Sequence, residues 1–412
     1  MTTRRQVLGW AGLVGLGAVA GCGPDAPPPP GGAAPKDVLV LEGPDGVTVY
    51  STATGAALIP AGPAVVSSDG RGLARAQAVG GGTRLFSHRL PRGEEVFSGV
   101  LTGALTPRVV APDSMLVALA NPGATPYRPG RRDRTTIVIA DAAGQRARLD
   151  LAGNLEPEAF DPAGRLLYVL DYVPPVAPDR YRVRVVDLAS GTVAPLLTRD
   201  KTPVPSGAEE EMRGEGRQAV YDRGRGTLFT LYTHQPDHVH TRDLINAGAR
   251  EDAPHVHAFV HTLNLSGQWA YCVDLPAPFG ENPAAGHAIA RDPRGLVAVV
   301  DATSGSGLHV DPDGLTVRET FTFKAPRGPI ATATALFAPN GELMVAAGHE
   351  VVTRGGPRWS ADTVIHGAAT VGDRLYLGQD GGAVQVDPAT GTVLRRIATP
   401  AGTTLREAFE LS

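Results

Sequence analysis

Six of the chain's eleven histidines lie within residues 234–261. Imidazole nitrogens bind Zn and Cu and titrate near neutral pH, so the stretch predicts a metal site, a pH-responsive loop or a polar surface loop. At a strand rise of about 3.3 Å per residue, His255 and His257 would lie roughly 6.6 Å apart and can share one ion. His238 and His240 can join them if the chain folds back, which makes these four residues the candidate metal ligands. The stretch matches no known chelating motif.

The two cysteines have different expected roles. Cys272 lies in the alternating run WAYCVDL, which predicts a small buried side chain rather than a nucleophile, because no base is adjacent in sequence. Cys22 follows Val19-Ala20-Gly21 and resembles the lipid-bearing cysteine of a bacterial lipobox. The sequence contains no nucleophile elbow, phosphate-binding glycine loop or heme-attachment motif, so a non-catalytic protein is favoured over an enzyme.

The N-terminal segment predicts export and anchoring. Arg4 and Arg5 precede a short apolar run and resemble a twin-arginine export signal, with the Sec route as the alternative. The apolar run is shorter than the roughly 20 residues of a membrane span. Residues 1–21 are therefore expected to be a signal peptide, and residues 22–36 a lipidated tether stiffened by proline. The remaining domain, 37–412, would be held by a palmitate-type lipid on the extracytoplasmic side of the cell membrane.

Composition narrows the range of partners. The chain is 42% hydrophobic and 19% charged, with a formal net charge of −4, as in an ordinary soluble domain. A nucleic-acid partner is not expected, because it would require a basic face. The membrane contact would come from the lipid, and the other partner would be an envelope protein, a glycan or a small molecule.

A repeated phrase runs through the mature chain. An apolar strand, an Asp/Ala-Pro-x-Gly turn and a second apolar strand recur, as at 161–164 (DPAG), 292–295 (DPRG) and 338–341 (APNG). A third strand often ends in a further turn, as in VVDLASGTV. Short alternating runs between Gly, Pro and Asp turns predict β-strands, and four strands per unit of roughly 40–50 residues predict an all-β single β-propeller.

The number of blades follows from the two ends of the domain. Seven full units are present, and the first segment, DVLVLEGPDGVTVYSTATGAAL, supplies three further strands. The C-terminal segment TTLREAFELS can supply the missing innermost strand and close the ring. Eight blades are therefore preferred over seven. The turn pattern resembles bacterial YVTN-type, NHL and TolB-like propellers, and the Gly-, Ala-, Arg- and Pro-rich composition is similar to that of actinobacterial proteins. The resemblance implies architecture and leaves function open.

Long insertions are predicted on one face of the propeller. In the propellers that the chain resembles, the loops between second and third strands share a face with the blade-to-blade connections. The long loops at 121–134, 171–182 and 234–256 belong to three consecutive blades, and the long connection 198–217 joins two of them. Long loops gathered in one sector are usually functional.

A second group of candidates comes from aligning the innermost strands on their turns. The residue five positions before the turn is Glu156, Arg217, His287 and His366 in four blades. These residues are expected near the mouth of the central channel, where they can bind a small polar or anionic ligand or, alternatively, be ordinary solvated positions. Strand alternation places Glu158 on the same side as Glu156.

These observations favour a lipid-anchored extracytoplasmic propeller that acts as a non-catalytic binding module or scaffold. The first alternative is a propeller lyase or hydrolase that uses Glu156 and His287. The second alternative is a metal-binding protein that uses the histidine-rich loop. The interpretation preferred for that loop is structural, with His257 and His261 packed between blades.

Overall fold

The computed structural model describes residues 36–121, 130–205, 209–213, 215–235 and 256–411, and the side chains of 215–217 are not described. Several sequence-predicted residues therefore lie outside the described residues, namely Arg4, Arg5, Cys22, His238, His240 and His255. The division into signal peptide, tether and propeller stays a prediction.

The described chain forms eight four-stranded antiparallel sheets, each of which is one blade. The strands of each blade are given from the innermost to the outermost. Blade 1 contains β32 (Thr404–Glu410), β1 (Asp37–Gly43), β2 (Gly46–Ser51) and β3 (Ala56–Gly62), and blade 2 contains β4 (Ala64–Val66), β5 (Gly72–Val79), β6 (Gly82–Arg89) and β7 (Glu94–Thr102). Blade 3 contains β8 (Thr106–Val110), β9 (Val117–Ala120), β10 (Arg134–Asp141) and β11 (Gly144–Ala152), and blade 4 contains β12 (Asn154–Phe160), β13 (Leu166–Val173), β14 (Arg180–Asp187) and β15 (Val193–Pro195). Blade 5 contains β16 (Glu215–Asp222), β17 (Thr227–Thr233), β18 (Ala258–Asn264) and β19 (Trp269–Asp274), and blade 6 contains β20 (His287–Arg291), β21 (Val297–Asp301), β22 (Ser306–Asp311) and β23 (Thr316–Thr322). Blade 7 contains β24 (Thr334–Phe337), β25 (Leu343–Ala347), β26 (Glu350–Thr353) and β27 (Gly356–Ser360), and blade 8 contains β28 (Ala368–Val371), β29 (Arg374–Gln379), β30 (Gly382–Val386) and β31 (Val393–Ala398).

The preference for eight blades over seven is confirmed, and so is the predicted closure of the ring. Strand β32 pairs antiparallel with β1 and supplies the innermost strand of blade 1. A buried ion pair secures this junction, because Arg374 of blade 8 donates two hydrogen bonds, of 2.7 and 3.0 Å, to the carboxylate of Asp37. The Tyr376 hydroxyl donates a further hydrogen bond to the same carboxylate.

The core lies between blades, where both faces of each sheet are covered. The second strands are therefore apolar on both faces, as in β13, whose sequence LLYVLDYV is buried from Leu167 to Tyr172. The core between blades 4 and 5 is aromatic, with Tyr168, Tyr232 and Phe259 almost fully buried. Stacking of neighbouring blades thus buries surface that a single four-stranded sheet would expose.

The recurrent turns are stabilised by their aspartates and glycines. The Asp161 carboxylate accepts hydrogen bonds from the backbone N–H groups of Arg165 and Leu166, both 2.7 Å long. In the third-to-fourth-strand turn of the same blade, Asp187 accepts backbone hydrogen bonds at the turn, and Gly191 has a φ of +71°. A left-handed conformation favours glycine, which explains why the repeat ends in Gly.

Helical structure is almost absent from the described ranges. They contain one short 3-10 helix, Ala284–Gly286, immediately before β20. No helix within 36–411, apart from the undescribed gaps, is both long and apolar enough to cross a bilayer.

Candidate functional site

The inserted segments of blades 3 and 4 contact each other beside the start of β12. The backbone N–H of Arg132 donates to the carbonyl of Pro175, 3.1 Å away. The side-chain amide of Asn154 donates to the carbonyls of Gly130 and Pro175, at 2.9 and 3.2 Å. The described parts of 121–134 and 171–182 therefore form one continuous surface around the start of an innermost strand.

The same surface continues through the blade-to-blade connection to blade 5. Tyr181 and Met212 exchange two backbone hydrogen bonds, of 2.9 and 2.7 Å. The backbone N–H of Arg213 then donates to the side-chain carbonyl of Gln235, 3.0 Å away, at the start of the histidine-rich loop. All four inserted segments are thus joined by hydrogen bonds through their described residues.

At the centre of this sector, Glu156 forms a buried ion pair with an arginine that the sequence analysis did not select. Its Oε1 lies 3.3 Å from Nε of Arg108, which projects from β8 of the neighbouring blade. Both side chains are at least nine-tenths buried. The other carboxylate oxygen of Glu156, Oε2, has no hydrogen-bond partner among the described residues.

Burial controls the protonation of this pair. Loss of water raises the pKa of Glu156 to about 7, and the guanidinium groups of Arg108 and Arg132 oppose that rise. Burial also lowers the pKa of Arg132, which lies in the 121–134 insertion, and the Glu156 carboxylate counteracts the effect. Glu156 therefore carries a carboxyl group that changes charge near neutral pH, paired with Arg108 and influenced by the charge of Arg132.

Arg108 was missed because the alignment compared a different position of the innermost strands. Alignment on the turns selects Thr106 as the blade-3 equivalent of Glu156, but the pairing of β8 with β9 shifts register at Arg108. The pairing of β12 with β13 shifts in the same way at Glu158. Because a bulge interrupts the alternation of side chains, the rule that placed Glu158 on the same side as Glu156 does not apply there. Arg108 and Glu158 are instead equivalent bulge residues, three positions before their turns.

The two bulge residues line a cavity on the inner side of the ring. The cavity has a volume of about 220 Å³ and is lined by the innermost strands of blades 2 to 5. Arg108 and Glu158 contribute one group of each charge, and Val65 and Phe160 contribute apolar wall. A positive and a negative side chain facing one small cavity suit a small molecule that carries both an anionic group and a hydrogen-bond donor.

The structure uses His287 differently from the sequence expectation. Its ring is fully buried, Nε2 accepts a hydrogen bond from the backbone N–H of Gly280 at 3.0 Å, and Nδ1 lies 3.3 Å from the carbonyl of Pro283. This arrangement fits a neutral ring with the proton on Nδ1, and burial lowers the His287 pKa accordingly. Both ring nitrogens hold the 280–283 turn, so His287 does not present a catalytic nitrogen to Glu156.

Of the remaining predicted channel residues, His366 pairs with a carboxylate of its own blade. His366 lies before β28 in blade 8, and its Nε2 is 2.9 Å from Oδ1 of Asp380. Arg217 lies on β16, but its side chain is outside the described residues. Of the five predicted channel residues, the structure brings together Glu156 and Glu158.

The described end of the histidine-rich stretch places one predicted metal ligand at the surface. His257 is exposed, and its carbonyl accepts a hydrogen bond from Gln235 at 3.0 Å. It is therefore not packed between blades, as the structural interpretation of the loop expected. The other three predicted ligands, His238, His240 and His255, lie outside the described residues, so the predicted four-histidine site stays a prediction.

His261 lies in a different environment, beside the cysteine that was interpreted as a simple hydrophobe. It is buried on β18 directly opposite Cys272 of β19. The Cys272 thiol donates to Oε2 of Glu210, 2.9 Å away. One potential ligand atom from each of these three residues lies within 4.8 Å of the other two. Cys272 therefore lies beside an imidazole and a carboxylate in the fold, although neither His261 nor Glu210 is adjacent to it in the sequence.

A second cavity adjoins this cluster on the outer side of blades 4 and 5. It has a volume of about 130 Å³, and both Glu210 and His261 line it. The rest of its wall combines apolar residues, such as Leu196 and Met212, with polar and charged residues, such as Arg199 and Asp200.

The class of protein defined by the fold is an eight-bladed β-propeller with one elaborated face. No protein-family model and no curated protein sequence matches the chain. Among solved structures, AztD of Citrobacter koseri is similar at 11% identity and a TM-score of 0.40, over 91% of this chain and 98% of that one. Hydrazine synthase of Kuenenia stuttgartiensis is similar at 15% identity and a TM-score of 0.42, over 78% of this chain and 96% of that one. Likenesses this distant do not indicate function.

Proposed function

We propose that the chain is a lipid-anchored, extracytoplasmic and non-catalytic propeller that binds a small zwitterionic molecule in the channel cavity. The observation that carries the proposal is the convergence of Arg108 and Glu158 on a cavity of about 220 Å³. Arg108 would bind the anionic group of the ligand through charge-assisted hydrogen bonds, and Glu158 would accept from its donor group. Val65 and Phe160 would contact the apolar part of the ligand.

Glu156 would act behind Arg108 rather than on the ligand directly. Its carboxylate lies 3.3 Å from Nε of Arg108, and Glu156 is not among the residues that line the cavity. In that position it would hold the guanidinium toward the cavity when ionised and release it when protonated. Ligand affinity would then change near neutral pH.

The anchoring part of the proposal rests on the sequence of the N-terminal segment. Arg4, Arg5 and Cys22 together resemble a lipoprotein signal, and the proline-rich segment after Cys22 would space the propeller from the membrane. The four joined insertions would then provide a surface on which an envelope protein or glycan can dock.

A binding screen tests the ligand part of the proposal. The purified protein would be heated with a panel of amino acids, dicarboxylates, diamines and phosphate, and its melting temperature recorded. We expect stabilisation by zwitterionic compounds, loss of that stabilisation in Arg108→Gln, and its retention in Arg84→Gln, which changes an exposed arginine of blade 2. Equal stabilisation of both variants by every active compound would refute the channel cavity as the site.

A further inference from the structure

We propose that Glu210, His261 and Cys272 bind a divalent cation of the zinc class in an exchangeable site on the outer side of blades 4 and 5. Their ligand atoms already lie within 4.8 Å of one another. The set combines a thiol, an imidazole and a carboxylate, which are the three side-chain types that bind Zn²⁺. The site differs from the predicted four-histidine site in all of its residues.

The distances require only a small adjustment. Zinc bonds of about 2.0–2.3 Å in a tetrahedron place neighbouring ligand atoms about 3.3–3.8 Å apart. Sγ of Cys272 and Oε2 of Glu210 are 2.9 Å apart in the metal-free hydrogen bond. On binding, the thiol would lose its proton to solvent, the sulfur would bond the ion as a thiolate, and the S–H···O hydrogen bond would be replaced by two bonds to the metal.

The three consecutive glutamates of the connection explain how Glu210 is directed to the cluster. Glu209 forms a two-pronged ion pair with Arg184, with N–O distances of 3.0 and 2.6 Å. Glu211 forms an ion pair with Arg180. Both flanking carboxylates are therefore held by arginines of β14, while the intervening Glu210 reaches the hairpin of blade 5.

The imidazole and thiol are held by the blade itself. His261 and Cys272 are cross-strand neighbours on β18 and β19, and both are almost fully buried. The ring of Tyr232 meets His261 edge to face, with 6.0 Å between ring centroids. Two ligands on a rigid sheet and a third on an anchored connection give the preorganisation that metal affinity requires.

The adjoining cavity makes the site exchangeable rather than closed. Three protein ligands leave one position of a tetrahedral ion open, and a structural zinc site would fill it with a fourth side chain. Glu210 and His261 line the cavity of about 130 Å³, so the open position would face it. Water or a small anion can complete the coordination there, and the ion has a path in and out.

Cobalt substitution tests the proposal most directly. The probe is Co²⁺ added to the full chain carrying Cys22→Ser, in which Cys272 is the one remaining thiol. We expect one equivalent to bind and to produce a thiolate-to-cobalt charge-transfer absorption, which Zn²⁺ then displaces. Binding of Co²⁺ without that absorption would overturn the proposal. Because all three proposed ligands are intact in this protein, the result does not depend on whether any ligand variant folds.

Variants then assign the ligands. Cys272→Ser should abolish the absorption, and Glu210→Gln should weaken Zn²⁺ binding by at least about tenfold, since even outer-shell changes cost about 10–100-fold. The matched control is His309→Ala, because His309 is also a cross-strand histidine paired to a carboxylate, Glu319, at 2.7 Å. The control should bind Zn²⁺ as the parent does.

The loop histidines provide the opposing variant. A quadruple change of His238, His240, His255 and His257 to Ala should leave the cobalt absorption and its stoichiometry unchanged. Loss of the absorption in that variant, or its persistence in Cys272→Ser, would overturn the proposal. The Arg108 experiment is independent, since the channel cavity and this cluster have no lining residue in common.

Discussion

Arg108 and Glu156 form a buried ion pair between the innermost strands of adjacent blades, with 3.3 Å between Nε and Oε1. The pair lies where the long insertions of blades 3 and 4 meet the ring. One carboxylate oxygen of Glu156 lacks a hydrogen-bond partner among the described residues. Burial of such a group costs free energy. Its presence is therefore more readily explained by a role in binding than by a contribution to stability.

The first prediction concerns the pH dependence of stability. Burial raises the pKa of Glu156 to about 7, so the folded state holds its proton more tightly than the unfolded state. That contribution to stability is complete below the unfolded pKa, near 4.5, and is lost as the pH rises through about 7. Glu156→Gln should remove this pH-dependent loss of stability. Between pH 4.5 and pH 8.5, the free energy of unfolding of the variant should therefore rise by about 3 kcal/mol relative to that of the parent. Denaturant titrations at several pH values measure this difference.

Glu407 provides the comparison for that experiment. Its pKa is also raised to about 7, mainly by burial and then by Asp69, but it lies on β32 in blade 1. Glu407→Gln should flatten the stability profile in the same window without affecting ligand binding. A Glu156→Gln profile that runs parallel to that of the parent would show that folding does not raise the pKa of Glu156.

The second prediction concerns ring closure. Arg374→Gln should destabilise the protein by about 3–5 kcal/mol, because it leaves the fully buried Asp37 carboxylate without its cation. The control is Arg406→Gln, which removes an exposed ion pair with Glu42 between the paired strands β32 and β1 and should cost less than about 1 kcal/mol. Unfolding free energies measured in denaturant distinguish the two, and equal effects would contradict the closing role of Arg374.

The third prediction concerns the membrane anchor. Cys22→Ser should move the protein from the membrane fraction to the soluble extracytoplasmic fraction of the producing cell, because the lipid would be lost. Cys272→Ser should leave it on the membrane, since that residue lies within blade 5. Fractionation followed by immunoblotting measures both, and a Cys22→Ser protein that stays membrane-bound would show that Cys22 is not the anchor.

The fourth prediction concerns the repeated turn. Gly191→Val should destabilise the domain by at least about 1 kcal/mol, because a branched side chain is strained at a φ of +71°. Thermal denaturation measures the loss. Arg131→Ala, at an exposed position of the 121–134 insertion, should leave the melting temperature unchanged. Unfolding of the Arg131 variant would contradict the assignment of that segment to the loop face.

The fold could be predicted from the sequence because its information is local and repeated. Each unit carries its own turn residues, such as Asp161 and Asp187, and each strand carries its own alternation. The closing strand, 404–410, could be predicted because the first unit visibly lacked one strand. Local signals of this kind can be recognised without any knowledge of contacts between distant segments.

The candidate sites could be predicted only in part, because they depend on contacts between distant segments. Glu156 was found by its position five residues before a turn, whereas Arg108 lies at the bulge, three residues before its turn, a position that the alignment did not compare. His261 opposite Cys272 follows from the hairpin register about the tight turn after Asn264, a signal that was present in the sequence. Glu210 reaches that hairpin through a blade-to-blade connection, and no local pattern predicts its contact.

The central claim is that Arg108 binds the ligand in the channel cavity. The most direct test is calorimetric titration of the parent, Arg108→Gln and Arg84→Gln with the zwitterionic compound that most stabilises the parent, at pH 6 and pH 8. We expect Arg84→Gln to bind like the parent, Arg108→Gln to lose at least about tenfold in affinity, and the parent to bind more tightly at pH 8. Unchanged affinity in Arg108→Gln at both pH values would contradict the central claim.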